Sequence, residues 1–136
     1  MLNVEQIMTK KIVTVEMDDK LSVVKEIFDN LKFHHLLVVE NNKLFGVVSD
    51  RDLLKALSPN VGMISETFKD LETLKKRVHQ IMTRKPVTLH PNAPVTEAVN
   101  LFITHSISCI PIVDEHFIPV GIVSWRDAMR AMTVKH

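Results

Sequence analysis

The sequence predicts an α/β fold made of two β-α-β-β-α units, and three observations carry that prediction. Residues 7–14, Ile-Met-Thr-Lys-Lys-Ile-Val-Thr, match residues 81–88, Ile-Met-Thr-Arg-Lys-Pro-Val-Thr, at six of eight positions. Residues 46–52, Gly-Val-Val-Ser-Asp-Arg-Asp, match 121–127, Gly-Ile-Val-Ser-Trp-Arg-Asp, at five of seven. Between these phrases each copy alternates short β-branched runs with apolar residues at helical spacing. The offset grows from 74 to 75 along the way, which places one inserted residue near the turn after Val113.

In the first copy, Ile12 to Val15 reads as a short strand, and Asp18 or Asp19 can cap a helix whose Leu21, Val24, Ile27, Phe28 and Leu31 share one face. Leu36 to Val39 is an apolar run of strand length, Asn41-Asn42 a turn, and Phe45 to Val48 the next strand, with a helix opening near Ser49. The second copy predicts a strand near Val87 to Leu89, a helix opened by Asn92 and Pro94 and running through Phe102, strands at Ile110 to Val113 and Val120 to Val123, and a last helix from about Ser124. A copy of roughly 60 residues buries too little surface to stand alone, so the two should share one core. The expected division is a first repeat at 1–58, a connector at 59–77 and a second repeat at 78–136. The connector holds the loop Ser58-Pro59-Asn60-Val61-Gly62 and then Leu71, Leu74, Val78 and Ile81 at spacings of three and four, among Lys69, Asp70, Glu72, Lys75, Lys76 and Arg77. That pattern predicts an amphipathic helix packed on the domain, with a partner-binding helix as the alternative.

Composition narrows the function. The 136 residues are 46% hydrophobic, within the usual range of a globular domain. Seventeen Lys and Arg against 16 Asp and Glu leave a net charge of +1, which provides no global field toward nucleic acid or an acidic membrane. The longest apolar stretches, such as Leu36 to Val39, fall far short of the roughly 20 residues that cross a bilayer. One cysteine, Cys109, cannot close an internal disulfide, and no secretory leader opens the chain, so a cytoplasmic protein is expected. The three glycines, Gly46, Gly62 and Gly121, are isolated, which rules out the glycine-clustered dinucleotide turn and phosphate loop.

The phrase Ser-x-Arg-Asp, at 49–52 and 124–127, follows an apolar strand and opens a helix in both copies. Helix capping explains Ser and Asp, because the Ser side chain accepts the N3 amide and the acid three residues on answers it. It leaves unexplained the arginine present twice. The competing reading is ligand binding: Asp accepting two ribose hydroxyls, with phosphate toward Ser, Arg and the helix start. His34, His35, His105 and Cys109 lack the spacing of a preformed zinc site. No nucleophile, base and orienting acid stand in a recognisable arrangement, so no enzyme is predicted. The methionines read as core filler or a dimer surface, and Trp125 as a lid or an interface contact.

The double Ile-Met-Thr-x-x-x-Val-Thr element, the strand end Pro111-Ile112-Val113-Asp114 and the endings at 46–52 and 121–127 closely resemble a tandem pair of CBS domains, the Bateman module, from Val4 to about Met132. The resemblance implies a tandem CBS-domain pair with pseudo-two-fold symmetry. Such modules are regulatory and non-catalytic, and they bind AMP, ADP or ATP in clefts between the copies, with no other cofactor. Carried over by position, one site would use Ser49, Arg51 and Asp52 with Thr83, Pro86 and Val87. The other would use Ser124, Arg126 and Asp127 with Thr9, Ile12 and Val13. The resemblance also puts phosphate-contacting basic residues near His34 and His35. Adjacent strand residues face opposite ways, so only one of them is expected to look into a given cleft. Copy two has Ser108 and Cys109 there, and copy one has Leu37 where copy two has Pro111, so the clefts should differ. A homodimer formed through helices is expected, with an unknown regulated protein reading the energy state. The alternative is a structural dimerisation module with vestigial clefts.

Overall fold

In the first copy, strand β1 (Thr14–Val15), helix α1 (Leu21–Asn30), strands β2 (His35–Glu40) and β3 (Lys43–Ser49) and helix α2 (Asp50–Ala56) follow in the predicted order. A short helix α3 (Phe68–Glu72) leads to the second copy: β4 (Thr83–Arg84), α4 (Val95–Thr104), β5 (Cys109–Val113), β6 (Pro119–Ser124) and α5 (Trp125–Thr133). This computed structural model describes residues 2–63 and 66–133, so Ile64 and Ser65, in the segment read as the connector, lie outside the described residues.

Turn chemistry separates the two hairpins. Asn41 and Asn42 close the first with φ of 50° and 67°, the paired left-handed conformations of the tight hairpin turn, which Asn tolerates. In the second, the Asp114 carboxylate accepts the His116 and Ile118 amides at 2.8 and 3.0 Å. The strand register shifts between Ile112 and Val113. The extra residue of the second copy is absorbed there.

The chain forms two compact units, and neither coincides with a sequence copy. One comprises Val13–Glu40 and Phe45–Lys85; the other comprises Met1–Ile12, Asn41–Leu44 and Pro86–His136. Each therefore contains the leading segment of the opposite copy. In the first unit, Val78 and Met82 join a core of Val15, Leu21, Val24, Leu36, Val38, Val48 and Leu53. In the second, Val4 joins Leu89, Ala98, Ile110, Ile112 and Val123, with Ile7 and Met8 packed against them. The shared core expected of the copies is thus two clusters, each drawn from both.

The same hydrogen bonds hold each borrowed segment. Val78 donates its amide to Asp19 O and Leu21 to Lys76 O, both at 2.8 Å. In the second unit Val4 donates to Ala93 O at 2.8 Å and Val95 to Leu2 O at 3.1 Å. These bonds overrule one sequence expectation, the side-chain cap of α1 by Asp18 or Asp19. The N-cap of α1 is Lys20, with no side-chain cap, because the Lys76 carbonyl takes the Leu21 amide; Asp19 instead accepts the Glu16 amide at 2.8 Å. At α4 the expected opening at Pro94 holds, with Pro94 as the N-cap, and no side chain caps the helix.

The connector departs furthest from its pattern. A continuous amphipathic helix through Ile81 does not form: α3 ends at Glu72, a 3-10 turn follows at Thr73–Lys75, and Lys76 and Arg77 are extended, with ψ near 155°. Arg77 bridges to Lys20 as an antiparallel strand pair would. Tertiary pairing wins over the 3.6-residue periodicity, since it buries Val78 completely, a gain of about 1.5–3 kcal/mol. The start of the loop is clipped by Asp70, which accepts from Ser58 Oγ and the Thr67 amide.

In one sheet β1 runs parallel to β2, and β4 runs antiparallel to β3 with Val47 opposite Thr83 and Gly46 opposite Arg84. In the other unit β5 and β6 pair antiparallel, flanked by single bridges from Leu89 to Ile112 and from Thr9 to Ile122. The strand predicted at Val87 to Leu89 is therefore reduced to one bridge, and the strand of the second copy's leading segment lies earlier, at Thr83–Arg84. Two glycines make this packing possible. A Cβ at Gly46 would lie 2.8 Å from Thr83 O and 2.9 Å from Met82 Sδ; one at Gly121 would lie 2.9 Å from Met8 Cγ. Gly46→Ala should cost about 1–3 kcal/mol in urea unfolding, because a backbone carbonyl cannot yield. Gly121→Ala should cost less, because only the flexible Met8 side chain obstructs it. Equal and negligible losses would contradict this packing.

Candidate functional site

Each copy places its Ser-x-Arg-Asp phrase where the strand ends and the helix starts, and both phrases form a reciprocal capping box. Asp52 donates its amide to Ser49 Oγ at 3.0 Å, and Ser49 donates its amide to Asp52 Oδ2 at 2.9 Å. The second copy repeats this at 3.1 and 2.9 Å between Asp127 and Ser124. The capping reading of Ser and Asp is therefore structurally real. It engages only Oδ2 of each carboxylate: among the described residues no hydrogen bond reaches Oδ1 of Asp52 or Asp127. Both acids and both serines are half-buried, and Arg51 and Arg126 are exposed.

The borrowed segments bring a threonine beside each corner. Thr83 faces Val47, two residues before Ser49 on β3. Thr9 faces Ile122, two residues before Ser124 on β6, through amide–carbonyl bonds of 2.8 and 3.0 Å. One unit thus holds Ser49, Arg51, Asp52 and Thr83, and the other holds Ser124, Arg126, Asp127, Thr9 and Ile12. The remaining predicted residues fall outside these groupings: Pro86 and Val87 belong to the second unit, and Val13 to the first. All three, with Ile12, are half-buried.

His34 and His35 behave differently. His34 Nδ1 lies 2.9 Å from Asp50 Oδ2, with the two side chains 74% and 46% exposed, and His34 O accepts the Asp50 amide at 3.0 Å. Partial burial pushes the Asp50 carboxyl up, but the His34 hydrogen bond and the Arg51 amide outweigh it and hold the group below the usual carboxylate range. His35 opens β2 half-buried; burial lowers its pKa, against the opposing pull of Asp50 and Asp52. Asp50 is not among the residues that the sequence singles out for the site. The acid's pairing with an imidazole 16 residues earlier depends on the fold bringing the start of β2 to the start of α2, which no local spacing reveals.

Trp125 packs edge-on against Phe102 of α4, with ring centroids 5.2 Å apart, and remains 42% exposed. Among the described residues, no group of three or more His, Cys, Asp or Glu is placed to hold a metal ion. No helix there is long and apolar enough to cross a membrane.

Comparison with known proteins agrees with this architecture. The CBS domain model matches residues 4–59 and 78–134, so the chain belongs to the CBS-domain family and carries two copies of the domain. It is 32% identical to a CBS domain-containing protein of Dictyostelium discoideum over 93% of this chain and 88% of that one. Other curated relatives bear enzyme names, and there the match spans only 22% to 25% of the relative's length. Among solved structures, CBSX2 in complex with AMP superposes with a TM-score of 0.80 at 26% identity, covering 97% of each chain. The CBS domain pair of protein MJ0100, in complex with 5′-methylthioadenosine and S-adenosyl-L-methionine, gives 0.78 at 27% identity, covering 96% of this chain and 99% of that one.

The lowered pKa of His35 has a pH signature. Below its unfolded value of about 6.5 the unfolded chain binds more protons than the folded one, so stability falls as pH drops through that range. Tm should decline between about pH 7 and pH 5.5, and His35→Gln should flatten that decline. A variant profile parallel to the parent's would show that His35 does not carry it.

Proposed function

We propose that this chain is a cytoplasmic regulatory module that binds adenosine ligands, the adenine nucleotides AMP, ADP or ATP foremost, at its Ser–Asp corners, and reports cellular energy state to a separate, unidentified protein. The observation that carries the reading is the half-used carboxylate: Asp52 and Asp127 cap with Oδ2 and keep Oδ1 for a ribose hydroxyl, beside the threonine of a borrowed segment. Ser and Arg then lie toward the 5′ side, and the backbone around Thr83 and Thr9 toward the base. The relatives solved with AMP and with sulfur-containing adenosines support the ligand class. Regulation requires unequal affinity for two conformations, and the borrowed segments provide the coupling, since a ligand gripping Thr and Asp together favours the docked arrangement. No catalytic role is assigned to any residue.

An output by dimerisation is favoured by one further observation. Trp125, Met129 and Met132 stand at helical spacing on α5, and Ile103 on α4 joins them, each 42% to 69% exposed. Such a stripe buries well against a second copy. In this reading the dimer supplies the surface and the nucleotide adjusts it. A vestigial corner with dimerisation alone remains the rival reading.

Asparagine separates capping from ligand binding, because it can still accept the Ser amide but loses the charge that attracts ribose hydroxyls. AMP or ATP at about 100 times its Kd should add about 2.7 kcal/mol and raise Tm by roughly 2–8 °C. Asp127→Asn should remove most of that shift, and Asp52→Asn part of the shift that adenosine gives, each leaving the ligand-free Tm nearly unchanged. Full shifts in both variants would leave only the cap. Met129→Glu should drive the protein to monomer in sedimentation velocity, and an unchanged dimer would move the interface elsewhere.

A further inference from the structure

We propose that Asp50 sets the charge of the ligand taken at the Ser49–Asp52 corner: this corner accepts an adenosine whose 5′ substituent is uncharged or cationic, and the Ser124–Asp127 corner accepts the 5′-phosphate. The inference rests on the adenosine reading above and assigns the two corners different members of that class.

The copies differ at one decisive position. Copy one reads Ser49-Asp50-Arg51-Asp52 and copy two Ser124-Trp125-Arg126-Asp127. With neutral imidazoles, the first corner carries two acids against one arginine and the second carries one against one, a difference of one negative charge. The Asp50 carboxylate adjoins both residues assigned to the 5′ side, Ser49 and Arg51, and is nearly half exposed. The amides that would otherwise receive a phosphate are already used. Asp50 donates to His34 O, and the Arg51 amide supports the Asp50 carboxylate, whereas the Ser–Asp capping bonds are common to both corners. The protein's own carboxylate thus occupies the role an incoming phosphate would play.

His34 does not reverse this. Its Nδ1 hydrogen-bonds Asp50 at 2.9 Å, and a neutral imidazole there leaves the charge of the acid in place, the condition under which the charges were counted. His35 is held toward its neutral form by burial. Arg51, exposed on α2, is the one permanent cation of the phrase. A phosphate here meets one more negative charge than at the second corner, whereas an uncharged hydroxymethyl or thioether does not, and a sulfonium gains from it.

The test isolates the first corner. Calorimetry at pH 8 on Asp127→Asn, which disables the second corner, should show adenosine and S-adenosylmethionine binding more tightly than AMP. Adding Asp50→Asn should strengthen AMP about five- to tenfold, the effect of one unit charge at partly solvated range, weaken S-adenosylmethionine and leave adenosine within about twofold. Asp50→Ser is the second variant, removing the same charge with a different side chain, and unchanged adenosine affinity confirms an intact corner in either. AMP binding more tightly than adenosine to Asp127→Asn, or AMP affinity indifferent to both Asp50 variants, overturns the charge rule and leaves the adenosine reading standing. No heat from any of the three compounds, with wild type or variant, overturns the adenosine reading itself.

Discussion

Two methionines lying on two glycines hold the architecture together. Met82 packs over Gly46 and Met8 over Gly121 so closely that a single added Cβ would meet them below 3.0 Å. Around each contact the leading segment of one copy adds to the strand of the other, and its valine, Val78 or Val4, is completely buried. Each core is drawn mainly from one copy and closed by residues of the other, so neither unit is complete without the exchange. This explains why Gly-hydrophobic-hydrophobic-Ser and Ile-Met-Thr occur as a matched set: the glycine makes room for the methionine, and the threonine that follows it falls two residues from the serine.

The corner that results serves the helix and leaves chemistry over. A capping box satisfies two amides with one serine oxygen and one carboxylate oxygen, and among the described residues no hydrogen bond reaches the second carboxylate oxygen in either copy. In the proposed reading capping and ligand binding are complementary uses of the same aspartate. The copies then diverge in charge. Asp50 paired with His34 in one copy and Trp125 edge-on to Phe102 in the other give two corners with like capping geometry and unequal electrostatics, so two like corners can hold unlike occupants.

Much of this was legible from residues alone, for stated physical reasons. Duplication exposed the order of elements, because a repeated phrase pins strand and helix ends that periodicity leaves loose. Asn41-Asn42 announced its turn through its tolerance of positive φ. Long-range pairing stayed hidden. Leu71, Leu74, Val78 and Ile81 satisfy a helical pattern, yet Arg77 is drawn out as strand by Lys20, a partner 57 positions away. The same cause moved the cap of α1 from Asp19 to the backbone of Lys76. At the site, Ser49, Asp52, Ser124 and Asp127 stood out as a repeat, whereas His34 looked like a phosphate contact because its acid partner lies across the fold.

The central claim is that the spare oxygen of each duplicated aspartate grips a sugar. A crystal structure of the protein grown with AMP tests it most directly. The account predicts density with ribose hydroxyls within hydrogen-bond distance of Oδ1 of Asp127, the base against the segment around Thr9, and both capping boxes intact. Nucleotide bound elsewhere, or corners occupied only by solvent at millimolar AMP, would contradict it.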